Sequence, residues 1–110
     1  MNNPREARLL QLKSLLEVTP DDAFLRYAMA LELFNMGQYE QSEQQFLALI
    51  HDSPEYVATY YHLAKLYEAK SEFEKAKEIY KQGIEITQKI RDMHALSELR
   101  SALNELEFDE

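Results

Sequence analysis

The chain has 110 residues, 45% of them hydrophobic, enough for one domain with its own core and too many for general disorder. Two glycines and three prolines are too few turn formers for a many-stranded β fold, and the lack of cysteine excludes a disulfide scaffold, a thiolate metal site and a cysteine nucleophile. Twelve basic against 20 acidic residues give a net charge of −8, which argues against nonspecific binding to nucleic acid or to an anionic membrane.

Helix signals run the length of the chain. Asn3-Pro4-Arg5-Glu6 reads as an N-cap, a proline at the first helical position and a carboxylate three residues after the cap. Leu9, Leu12, Leu15 and Leu16 then mark one helix face. Thr19-Pro20-Asp21-Asp22 ends this helix and caps a second, from Ala23 to Met36, which stops at Gly37. A third helix follows Tyr39 and fades near His51, before Ser53-Pro54. A fourth runs from Tyr56 to Lys70, and a fifth from Phe73 to Lys89. Asp92 caps a sixth that carries Leu96, Leu99, Leu103 and Leu106, and Asp109-Glu110 reads as a frayed end. The short links predict antiparallel packing of sequential helices. No stretch is long and apolar enough for a membrane span, and Met1-Asn2-Asn3-Pro4-Arg5-Glu6 lacks the layout of a secretory signal, so a soluble cytoplasmic protein is expected.

An internal repeat is present. Pro20 and Pro54 lie 34 residues apart, and the same shift aligns Tyr27 with Tyr61, Ala30 with Ala64, Leu33 with Tyr67, Tyr39 with Phe73 and Phe46 with Tyr80. It also places Leu12 on Phe46 and Leu15 on Leu49, so the chain opens with the second half of a repeat. Downstream the register fails: Leu63, Ala64 and Tyr67 map to Ser97, Glu98 and Ser101, and the last helix reads as a terminal cap.

In the second copy, Tyr60, Leu63-Ala64, Tyr67, Ala76, Tyr80 and Gly83 follow the pattern of the tetratricopeptide repeat (TPR), which this sequence resembles. The first copy keeps Ala30, Gly37, Tyr39, Phe46 and Pro54, and departs at Arg26, Ser42 and Leu49. Gln88 replaces the closing proline of the second. The departures imply locally altered packing on the same fold. The resemblance implies an all-α solenoid of about six helices in one domain, residues 1–110: a leading half repeat at 4–19, repeats at 21–54 and 55–88, and a capping helix at 92–108.

Catalysis finds no motif. His51, His62 and His94 have no ligand partners at metal spacing, and there is no phosphate loop or nucleophile elbow. Neither cofactor nor metal is expected. Glu74, Glu78 and Glu85 read as surface partners of Lys77, Lys81 and Lys89, and Glu105, Glu107, Asp109 and Glu110 as a solubilising end.

The second helix is apolar nearly all round. Met29, Ala30 and Leu33 belong to the repeat core, while Phe24, Tyr27, Leu31 and Phe34 form a second stripe. By resemblance that stripe faces a concave groove, continued on the fourth helix by Tyr61, Lys65 and Glu68. The implied function is a noncatalytic protein-interaction module that takes a peptide or partner helix there. A clamp for a C-terminal carboxylate is disfavoured, because Leu31 and Glu68 stand where basic or amide groups are needed. Two other outcomes for the stripe stay open: cover by a flanking helix, or a homodimer through the groove or the unfinished end.

Overall fold

The computed structural model describes residues 3–109; Met1, Asn2 and Glu110 lie outside them, and with Glu110 part of the expected frayed end. Six helices form in the expected order: α1 Pro4–Val18, α2 Ala23–Asn35, α3 Tyr39–Asp52, α4 Ala58–Ala69, α5 Phe73–Ile90 and α6 Met93–Phe108. There is no strand among the described residues. Three helices start on side-chain caps: Asn3 accepts from the Arg5 amide at 3.0 Å, Asp22 from Leu25 at 2.9 Å and Asp92 from Ala95 at 3.1 Å. Pro4 opens α1, where its missing N–H costs nothing.

The α2–α3 and α4–α5 turns have the same construction. Gly37 and Ser71 adopt left-handed backbones, with φ of 78° and 59°. In the first turn the Gln38 amide donates to the Leu33 carbonyl; in the second, Glu72 donates to Tyr67. These closed turns reverse the chain within three residues and seat α3 on α2 and α5 on α4.

The chain divides into two compact units, residues 1–53 and 54–110. In the first, Leu9 and Leu12 of α1, Ala30 and Leu33 of α2, and Phe46 and Leu49 of α3 are buried. Leu15 departs from the expected face and is 46% exposed. At about 100° per residue, Leu9, Leu12 and Leu16 share a narrow arc that Leu15 lies beside. Met29 is only half-buried, because it stands between the arc of α2 that meets α3 and the arc that meets α1. That second arc holds Glu32, a buried carboxylate within 3.3 Å of both the Arg5 and Arg8 guanidinium groups. The helix that reads as apolar all round therefore uses one charge to fix α1.

In the second unit, Tyr60, Leu63, Ala64, Leu66, Tyr67, Ala76 and Tyr80 build the α4–α5 core. Leu96, Leu99, Ala102 and Leu106 of α6 join it, whereas Leu103 is half-buried. Ala102 takes the inner place expected of Leu103.

Each departure from the repeat pattern in the first unit finds a partner. The Ser42 hydroxyl donates to the Ala30 carbonyl at 2.7 Å. Arg26, 14% exposed at its side chain, pairs with Asp52 at 2.9 Å. Leu49 is fully buried.

Candidate functional site

The residues singled out on the inner helices fall in both units. On α2, Phe24 is 62% exposed, and Tyr27, Leu31 and Phe34 are half-buried. Two of them pack on α3: Tyr27 stands 6.3 Å from the Phe46 ring and Phe34 5.5 Å from Tyr39. Helix α1 is ion-paired to α2 at Glu32 and lies beside Phe24 through Ala7, Gln11 and Leu15, and Phe24 keeps most of its surface.

On α4, Tyr61 and Lys65 line a groove of about 300 Å³ whose other wall is α6, through His94, Ser97, Glu98, Ser101, Ala102 and Glu105. A smaller hollow of about 240 Å³ continues past Ala58 and Tyr61 toward Ala95 and Leu99. Lys65 is held in place: its ammonium lies 5.4 Å from the centre of the Tyr61 ring and 3.5 Å from the Glu68 carboxylate. The buried Tyr80 hydroxyl also donates to Glu68. Burial first, and then the Glu68 carboxylate, push the Tyr80 phenol well above its ordinary range, so it stays a donor at neutral pH. Glu68 thus accepts from a cation and a phenol together. Tyr61 is braced by edge contacts with His62 at 5.3 Å and Tyr80 at 6.5 Å.

The structure brings Tyr61, Lys65 and Glu68 together as one cluster. It adds the α6 wall, which sequence reasoning treated as an inert cap. The signal was there: His94, Glu98, Ser101 and Glu105 recur at helical spacing and form one polar ridge. His94 pairs with Glu98 at 2.6 Å. His62 is half-buried, and desolvation lowers its pKa so that it is neutral at pH 7. Among the described residues, no three His, Asp or Glu side chains are grouped to hold a metal ion, and no helix is long and apolar enough to cross a membrane. Aromatic rings, an anchored lysine and hydroxyls on a ridged helix suit hydrogen bonding and stacking against a chain segment.

Paired helices in a 34-residue register, closed by matching left-handed turns, define a helical-repeat protein. Comparison with known proteins narrows this to a family. The tetratricopeptide repeat profile matches residues 57–90. The solution structure of a TPR domain protein from Salinibacter ruber is 38% identical, covers 83% of this chain and 92% of its own, and superposes with a TM-score of 0.79. A Bordetella parapertussis protein, 19% identical, shares the fold over 99% of this chain and 91% of its own, with a TM-score of 0.80. YrrB, described as a TPR protein with an unusual peptide-binding site, is 25% identical over 87% of this chain and 48% of its own, with a TM-score of 0.73. No curated protein matches the chain. The chain belongs to the tetratricopeptide repeat family, and its fold is the all-α solenoid type.

Proposed function

We propose that this TPR chain is a noncatalytic protein-interaction module that binds a peptide or partner helix through the inner faces of its first-of-pair helices. Phe24, Tyr27, Leu31 and Phe34 supply apolar contact on α2; Tyr61, Lys65 and Glu68 supply stacking and polarity on α4. The observation that carries the reading is the α4–α6 groove, where an open, partly apolar floor is bordered by a lysine fixed between an aromatic face and a carboxylate. A side chain already held in one rotamer loses little entropy when a partner arrives. The likeness to YrrB, a TPR protein with a peptide-binding site, supports the same reading.

The test is capture of partners from native lysate by three forms of the chain. Replacing both Tyr27 and Tyr61 with alanine removes stacking, and Ser101→Trp fills the groove from an exposed position without touching the core. Both variants are expected to keep wild-type helical content by circular dichroism and to lose most of the captured partner. Undiminished capture by folded forms of both variants overturns the assignment.

A further inference from the structure

The charge of the α4–α6 groove is one-sided. Among the described residues, Lys65 is the only lysine or arginine that lines it, and its ammonium is already engaged by the Glu68 carboxylate and the Tyr61 ring. Against it stand Glu98 and Glu105 on the α6 wall. They lie about 10.5 Å apart along one face of the helix, with Ser101 between them. Glu98 pairs with His94 at 2.6 Å, and among the described residues no cation pairs with Glu105. Arg100 of the same helix sits roughly 140–160° round from both glutamates, so its charge serves another face.

The groove runs on into the hollow of about 240 Å³, with which it shares Tyr61, His94 and Glu98. Carbon walls most of that hollow, through Val57, Ala58, Ala95 and Leu99. One channel therefore has an apolar end and an acidic end. Resting on the peptide-binding reading above, we propose that its occupant is a basic segment of a partner protein. An apolar side chain of the segment sits in the hollow, and arginine or lysine side chains lie along Glu98, Ser101 and Glu105.

Other occupants fit the same surface badly. An acidic segment meets Glu98 and Glu105 with Lys65 already neutralised by Glu68, and Glu68 itself held by the Tyr80 hydroxyl. A purely apolar segment covers two carboxylates and gives them no donor. A second copy of this chain brings another net charge of −8 and is repelled at long range. A basic segment reverses each of these terms. The field of the whole chain draws it in. A guanidinium or ammonium donates to a glutamate and to the serine hydroxyl oxygen together. The charge of Glu105 also reaches the inner wall: burial and Glu68 do most to raise the Tyr80 phenol, and Tyr61 and Glu105 add to them.

Selection from a displayed library of random dodecapeptides tests it, made in parallel on the wild-type chain and on Ser101→Trp. Peptides held by the first and not by the second are expected to be rich in arginine and lysine beside an apolar residue. Their affinity is expected to fall steeply between about 0.05 M and about 0.5 M salt. Glu98→Gln and Glu105→Gln, both at exposed positions, are each expected to weaken the best such peptide about two- to fivefold, with helical content unchanged by circular dichroism. Groove-dependent peptides that are acidic or purely apolar, or whose affinity is indifferent to salt and to both glutamates, overturn the proposal and leave the groove reading standing. If no peptide distinguishes wild type from Ser101→Trp, the groove reading itself falls, and this proposal with it.

Discussion

A Cβ added to Gly83 falls 2.8 Å from the Tyr60 Cβ and 2.9 Å from a Leu99 methyl. The first is the stem of a fully buried ring, so it has nowhere to move. In the first unit the same two repeat positions hold Leu49 and Arg26. One copy puts the bulk on the first helix and leaves the second bare; the other puts the bulk on the second helix and a slender, ion-paired side chain on the first. Read singly, Arg26 and Leu49 look like two departures from the pattern. As a pair they are one exchange of volume. Gly83→Ala is therefore expected to destabilise the chain by about 1–2 kcal/mol in urea titration, overpacking outweighing alanine's better helix propensity. Leu49→Gly alone opens a cavity that costs about 2–5 kcal/mol. Arg26→Tyr in that background is expected to recover part of the loss, and a double-mutant cycle with no coupling argues against the exchange.

At the scale of the element, the turns show how much of the fold was legible. The cap residues Asn3, Asp22 and Asp92 and the stop at Gly37 stand in the sequence and act as read. The 34-residue shift sets Ser71 on Gly37 and so marks the turn, although serine does not itself announce a positive φ; Arg91 has no such counterpart, and its helix-closing bonds impose the geometry. A β-carbon in that region costs roughly 1–2 kcal/mol, which glycine avoids. Ser71→Gly is expected to raise the thermal midpoint, and Asp22→Ala to cost about 1 kcal/mol by orphaning the Leu25 amide. On α6 the leucine spacing located the buried face, but not its rotation. That is set by contact of Leu99 with bare Gly83, and it turns Ala102 inward and Leu103 partly out. Leu99→Ala is expected to cost about 2–5 kcal/mol and Leu103→Ala clearly less, a contrast that denaturant titration reads directly. The same rotation makes His94, Glu98 and Glu105 a groove wall, which no single-sequence pattern for a capping helix requires.

Across the whole molecule, the titrating groups confine maximal stability to a window of pH. Below neutrality the first to act is His62, whose pKa burial lowers while the unfolded chain keeps the ordinary value near about 6.5. The unfolded state then binds the proton first, so stability is full above that value and declines as pH falls below it. Asp52 and Glu72 act next and in the opposite chemical sense. Hydrogen bonds, from His51 and Arg26 to Asp52 and from Lys75 and Lys70 to Glu72, hold both below the usual carboxylate range. Their contribution is present above the unfolded carboxylate pKa of about 4 and is lost as pH drops through the folded values. On the alkaline side, burial raises the phenols of Tyr60 and Tyr80, and Glu68 adds to the second. An unfolded tyrosine releases its proton near about pH 10, before the folded one, so stability declines again from there. Thermal midpoints measured from pH 4 to 11 are expected to show a plateau between these limits. His62→Gln removes the first acid step and leaves the alkaline limb intact. Tyr80→Phe lowers the plateau, because Glu68 loses its buried donor, and flattens the alkaline limb. An acid step that survives in His62→Gln assigns it to another group and refutes the burial argument for this histidine.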